Sequence, residues 1–145
     1  MTTFPIIRVV TKLLIPYILL FAFYVQFHGD FGPGGGFQAG VILASGLILY
    51  GLVFGLPAVQ SVAPPRTIER LMALGVLIYA GTGIATILLG GKFLDYSALE
   101  HNFYPHYFPS GQHLGIFLVE AGVGVTVTSV MTMIFYAFAG RNSVE

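Results

Sequence analysis

The sequence contains no cysteine and very little charge. Only 8% of its 145 residues are Asp, Glu, Lys or Arg. The absence of cysteine excludes disulfides, cysteine-ligated zinc, iron–sulfur clusters and thiol catalysis within this chain. A soluble domain usually carries about 25% charged residues, so too few are present to cover a water-facing surface. Because the net charge is zero, a nucleic-acid partner is not expected either.

What the sequence has instead is long hydrophobic segments. Hydrophobic residues make up 56% of the chain, and residues 9–27, 37–56, 71–89 and 114–139 each approach or exceed the roughly 20 apolar residues of a membrane span. These spans are expected to be helices, because an open sheet cannot satisfy its backbone hydrogen bonds in lipid. No repeat or linker divides the chain. The sequence therefore predicts an all-α membrane protein, a single domain over residues 1–145 with four transmembrane helices.

The basic residues predict the orientation of these helices. One end of the predicted bundle carries five of them and the other end carries only Lys92; the five are Arg8, Lys12, Arg66, Arg70 and Arg141. Lys and Arg are enriched in short cytoplasmic segments of membrane proteins. Both termini and the connection at 57–70 are therefore expected in the cytoplasm. In that connection Thr67 is the expected N-cap of the third helix. The loops after the first and third helices are expected to face outward.

Small residues recur four positions apart along the helices, which allows helices to approach closely in lipid. Internal packing among the four helices explains most of them, although contacts to further subunits stay open. The residues are Gly36, Gly40, Ala44, Gly51, Gly55, Gly75, Gly83, Gly122, Thr126, Gly124 and Thr128.

The loop between the first two helices has an unusually specified composition. Pro33 is followed by three glycines and then by Phe37. Consecutive glycines permit positive φ and a close approach of backbone to other groups. A phosphate-binding loop would need a Lys followed by Ser or Thr, and neither is present. The loop is either a tight or re-entrant turn, or a surface that docks against another subunit.

Glu120 is the only acidic residue within a predicted span. It lies six residues after Leu114, about 9 Å along the helix and in the outward half of the membrane. An ionised side chain in the hydrocarbon is costly, about 2.5–3.5 kcal/mol at the bilayer centre. Glu120 could serve a proton or cation path, pair with a basic residue of another subunit, or be an interfacial carboxylate wetted by the outer loop.

The remaining polar residues give little sign of an enzyme. No nucleophile–base arrangement is present, and no cofactor is expected. The histidines all fall in outward loops or at helix ends; they are His28, His101, His106 and His113. Although His28 and Asp30 together could contact protons or a cation, loop spacing alone does not supply converging metal ligands, so no metal site is expected.

Two segments resemble the B subunit of Mrp-type multisubunit sodium/proton antiporters, the MnhB domain family. One is His28-Gly29 with Pro33-Gly34-Gly35-Gly36-Phe37-Gln38, and the other is residues 115–127, which include Glu120. With four spans in a chain of this size, the resemblance covers most of the protein. Two positions depart from the family pattern. Asp30 stands where members often have a second histidine, and Ala39 stands where glycine is common.

The resemblance implies a small, non-catalytic subunit of a multisubunit complex in a prokaryotic cell membrane. Such complexes exchange sodium ions for protons, so the expected partners are other membrane subunits, the lipid bilayer, and sodium ions and protons. The motif carries over to His28, Pro33, Gly34, Gly35, Gly36 and Phe37. Two alternatives stay open: a structural subunit of a membrane-bound hydrogenase or other complex I-related assembly, and a self-contained small oligomeric transporter that uses Glu120.

Overall fold

The computed structural model describes residues 5–29, 32–99 and 111–141. In these ranges the main elements are helices, and no strand forms: α1 (Pro5–His28), α2 (Gly36–Phe54), α3 (Leu56–Val62), α4 (Pro65–Leu88) and α5 (Gly111–Gly140). All except the seven-residue α3 are long and apolar enough to cross a membrane. The prediction of an all-α protein with four membrane-spanning helices is confirmed.

The helices extend beyond the apolar segments that predicted them. α4 begins at Pro65 rather than at residue 71, and it carries Arg66, Glu69 and Arg70 in its first turns. Proline is well suited to the first helical position, because the N–H it lacks would have no intrahelical partner there. The expectation that Thr67 caps this helix is wrong. Thr67 lies inside the helix, and its amide donates to the carbonyl oxygen of Pro64 at 2.9 Å.

The connection between α2 and α4 contains the short helix α3. Gly55 has φ 94° and ends α2, since a positive φ suits glycine but not other residues. α3 then packs back onto the bundle, where Val59, Ala63, Ile68 and Tyr136 form a buried cluster. The Tyr136 hydroxyl donates to the Ala63 carbonyl oxygen at 2.8 Å. α3 is thereby fastened to the end of α5.

The four spans form a row in the order α1, α2, α5, α4. α2 packs against α1 and α5, and α5 packs against α2 and α4, whereas α1 and α5 touch only sparsely. The last helix of the chain therefore lies between the second and the fourth. Loops connect one end of the row to the other end of the next span, so residues 29–36 and the start of α5 meet at one end.

Glycines bring neighbouring helices of the row into backbone contact. A Cβ on Gly40 would lie 2.8 Å from the Gly124 carbonyl oxygen, and one on Gly75 would lie 2.6 Å from the Gly122 carbonyl oxygen. Real Cβ atoms do not approach a carbonyl oxygen so closely. At these positions the small residues serve internal packing among the spans, as the sequence predicted.

The row leaves much apolar surface uncovered. In α1 only Thr11 and Ala22 are buried, while large side chains such as Leu20 and Phe27 are 68% and 61% exposed. A soluble monomer rarely exposes a contiguous apolar area of this extent. These faces are suited to lipid and to other membrane subunits.

Candidate functional site

The Glu120 carboxyl group lies against the glycine loop. A Cβ built on Gly29 would be 2.5 Å from Oε2 and 2.8 Å from Oε1 of Glu120. A Cβ on Gly35 would be 3.1 Å from Oε1. The loop therefore meets this carboxyl group with backbone alone at two positions. The two features that the sequence singled out separately form one site, which we call the glycine–carboxyl junction: Gly29, Gly35, Gly36 and Glu120.

The loop holds its shape through backbone hydrogen bonds to the end of α1. The Gly32 amide donates to the His28 carbonyl oxygen at 3.0 Å, and the Gly35 amide donates to the Val25 carbonyl oxygen at 3.2 Å. Gly35 has φ 122°, a conformation that side chains with a Cβ rarely adopt. The chain thus folds back over the last turn of α1 before α2 begins. This return places Gly35 beside Glu120.

The first residue of α2 also packs on Glu120, at its backbone. Gly36 is buried, and a Cβ there would collide with the carbonyl oxygen of Glu120. Because both groups belong to helix backbones, neither can move aside without shifting its helix. The start of α2 is therefore fixed against α5 at the level of Glu120.

Gln26 is a polar residue of this region that the sequence analysis did not select. A Cβ on Gly124 would lie 2.7 Å from Gln26 Oε1, so the amide contacts α5 one turn below Glu120. Its Nε2 is buried and has no hydrogen-bond partner among the described residues. The available signal was its spacing, since Gln26 precedes Gly29 by three residues and shares a helix face with it.

The other residues of the predicted motif point away from the carboxyl group or lie at the rim. The His28 ring stacks on Tyr24, with 5.3 Å between ring centroids. Pro33 is exposed, and Phe37 is 64% exposed. Gly34 packs on the Val25 carbonyl oxygen of α1. The motif therefore divides into glycines that face α5 and larger residues that face outward.

Three predicted positions lie outside the described residues: Asp30, His101 and His106. For the chain that is described, no group of three or more His, Cys, Asp or Glu side chains converges in a way that could hold a metal ion.

A second acidic residue lies in the loop after α4, at the same end of the row. The Ser97 hydroxyl donates to Asp95 Oδ1 at 2.5 Å. This hydrogen bond holds the pKa of Asp95 below its usual value. Asp95 is therefore ionised near neutral pH and titrates only in acid.

The geometry suits one chemical task, the holding of a single carboxyl group at the edge of the membrane interior. Glu120 is half-buried and is the only acidic residue of α5. Backbone surrounds its carboxyl group on the loop side, so proton or cation exchange there needs no rearrangement of neighbouring side chains. Together the row of spans and this junction define a small membrane subunit with one ionisable group.

Comparisons with known proteins give the family. Residues 6–133 match the family model described as the domain related to the MnhB subunit of Na+/H+ antiporter. The chain is also 36% identical over 140 residues to a Staphylococcus haemolyticus protein, with 95% of this chain and 96% of that protein covered. A Staphylococcus aureus (strain Newman) relative is 33% identical over 138 residues, with the same shares covered. Both are named "Putative antiporter subunit mnhB2". The chain belongs to the MnhB family, and the resemblance predicted from the sequence is confirmed.

Proposed function

We propose that this chain is a non-catalytic subunit of a multisubunit Na+/H+ antiporter, in which the glycine–carboxyl junction borders the path of protons or sodium ions. The role of antiporter subunit and the multi-pass location in the cell membrane follow from the family and from the four spans. The role of the junction is the new element. The partners are the other membrane subunits of the complex, with lipid on the remaining surface.

One observation carries the proposal: the only acidic group of the spans is held by backbone rather than by a basic side chain of the described residues. Gly29 and Gly35 leave the space that their side chains would fill, and the carboxyl group of Glu120 occupies it. An acid in a membrane span is costly and is usually retained for function. No purely structural role needs an ionisable group there.

The distribution of basic residues supports an orientation with both termini in the cytoplasm. The starts of α1 and α4 and the end of α5 share one end of the row. That end carries all the basic residues except Lys92. On the positive-inside rule, the glycine–carboxyl junction then faces the outer half of the membrane.

The comparisons favour the antiporter over the two alternatives. The matched family model and the curated relatives refer to antiporter subunits, and a hydrogenase is not among their names. The uncovered apolar faces of the row favour a subunit over a self-contained transporter, because such a transporter would have to cover them with copies of itself.

Replacement of Glu120 tests the role of the junction. Glu120→Gln keeps the size of the side chain and removes its ability to ionise. In everted membrane vesicles that contain the whole complex, we expect sodium-dependent proton exchange to fall by about tenfold or more, as for loss of a proton-transferring group. Glu120→Asp keeps a carboxyl group and should retain part of the activity.

The matched readouts separate a transport role from a structural one. Native gels should show a normal yield of complex for Glu120→Gln. The pH profile is measured between about pH 6 and pH 9, where Asp95 stays ionised because its pKa is lowered. An unchanged rate and pH profile in Glu120→Gln would reject the role, and so would a loss explained by a missing complex.

A further inference from the structure

Two basic side chains converge on one aromatic ring at the opposite end of the row from Glu120. Arg8 Cζ and Lys12 Nζ each lie 5.7 Å from the centroid of the Phe54 ring. Arg8 and Lys12 are one turn apart on α1 and are exposed, whereas Phe54 ends α2. The groove between α1 and α2 therefore presents two positive charges beside an aromatic face, an arrangement that we call the basic groove: Arg8, Lys12 and Phe54.

These two charges are not balanced within the described chain. Like charges four residues apart on a helix repel each other. The described acidic residues lie elsewhere. Glu69 is on α4, which α2 and α5 separate from α1, and Asp95 and Glu120 lie at the other end of the row. An anion from outside the chain would relieve the repulsion.

The depth of the two side chains fits the headgroup level of a bilayer. α1 has 24 residues and is about 36 Å long, whereas the hydrocarbon core is about 30 Å thick. Arg8 therefore lies close to the edge of the hydrocarbon. Lys12, one turn deeper, reaches the same level only by extending its side chain toward the headgroups, as lysine does in membranes.

The surroundings of the groove are apolar, which distinguishes lipid from an acidic protein. Val9 and Leu13 flank the two basic residues on α1 and are 65% and 60% exposed. Their surfaces continue toward the middle of the membrane, where an acyl chain would lie. From charge, depth and apolar flanks we infer that the basic groove binds the phosphate group of an anionic phospholipid, with its acyl chains along α1 and α2. Basic pockets between helices on the cytoplasmic side are suited to such headgroups.

Photo-crosslinking in the intact complex tests this inference, because it reports on the groove itself. The purified antiporter complex is incubated with phosphatidylglycerol that carries a diazirine near its headgroup. Crosslinked peptides are then quantified by mass spectrometry. The inference predicts a crosslink within residues 8–13 or at Phe54 that unlabelled phosphatidylglycerol competes away and phosphatidylcholine does not.

Variants set the expected size of the effect. Each basic residue near a membrane surface contributes about a fivefold change in anionic lipid binding. Arg8→Gln with Lys12→Gln should therefore lower the crosslink by about 25-fold. Phe54→Leu, which keeps an apolar side chain without the ring, should lower it by a few-fold. Lys92→Gln, at the other end of the row, is the matched control and should leave it unchanged.

Four results would overturn the inference. Equal competition by phosphatidylcholine would show an apolar groove without preference for charge. Competition by inorganic phosphate alone would show a site for a free anion. Release of a neighbouring subunit by the double variant on native gels would show that the groove holds an acidic protein. An undiminished crosslink in the double variant would show that the basic residues do not bind the lipid.

Discussion

The carboxyl group of Glu120 lies against the backbone of Gly29, with Oε2 only 2.5 Å from the place where a Cβ would be. The two residues come from α5 and from the turn that follows α1. Their contact joins an edge helix of the row to a central one. It also gives the site an unusual property, since its dimensions depend on the absence of side chains.

Gly29→Ala should displace the carboxyl group. The added methyl group would overlap both carboxyl oxygens of Glu120 and the Cα atom of Gly35, which is 2.7 Å away. Since the Glu120 side chain can turn while Gly35 is backbone, we expect a loss of exchange activity together with a destabilisation of about 1–3 kcal/mol. Sodium-dependent proton exchange and thermal unfolding of the purified complex measure the two effects.

A double variant provides the control for Gly29→Ala. Glu120→Asp shortens the side chain by one methylene and should relieve part of the overlap. The variant Gly29→Ala/Glu120→Asp is therefore expected to unfold at a higher temperature than Gly29→Ala alone. Strictly additive losses would contradict direct contact between the two residues, since independent sites give additive changes in stability.

Gly36→Ala should damage the packing of α2 on α5. The methyl group would collide with the carbonyl oxygen of Glu120, and relief requires movement of a whole helix. We expect a destabilisation of at least about 3 kcal/mol and a low yield of complex on native gels. Gly81→Ala is the matched control, because a Cβ at Gly81 meets no atom within 4 Å. Equal yields for the two variants would contradict the close packing of Gly36.

Gln26→Leu should leave the fold intact or make it slightly more stable. The Gln26 Nε2 donor is buried without a partner, so its removal takes away an unfavourable group. We expect the unfolding temperature of the complex to stay the same or rise, by an amount equivalent to about 1 kcal/mol. A clear decrease would show that the amide donates to a group outside the described residues, such as a neighbouring subunit.

Phe37→Ala should weaken the assembly of the complex without unfolding the subunit. Phe37 is 64% exposed directly after the buried Gly36, so its ring projects from the junction. An exposed side chain contributes little to the fold, whereas an aromatic anchor in an interface contributes about 2 kcal/mol or more to binding. The measurement is the fraction of intact complex on native gels at increasing detergent.

Phe138→Ala is the control for Phe37→Ala. Phe138 is an exposed aromatic residue at the opposite end of α5, and its ring is 72% exposed. It should have a smaller effect on the fraction of intact complex than Phe37→Ala. If neither variant or both variants released subunits to the same extent, Phe37 would not be a specific contact.

The four spans could be predicted from the sequence, because a bilayer imposes a length of apolar residues that is visible in any window. Helix ends could not be predicted in this way. α4 continues through Arg66 and Arg70 because a helix ends where its hydrogen bonding ends, and the apolar segment is shorter than that. α3 was missed for a related reason, since the prolines around it were interpreted as marks of a loop.

The components of the candidate site could be predicted, but their contact could not. Glycine composition identified the loop, and charge in an apolar segment identified Glu120. Their meeting depends on the order of helices in the row, which places α5 beside α2. Helices that are apolar on all sides carry little sequence signal about which neighbour each face meets. Gln26 was missed because only that neighbourhood makes its position informative.

The row of spans is only one helix thick, about 10 Å. A subunit of this shape has two broad faces, and α5 and α2 belong to both. Within a larger complex it acts as a partition in the plane of the membrane, so that the proteins or lipids on its two sides do not touch across it. Glu120, at the upper edge of that partition, is then positioned between two separate environments of the same membrane.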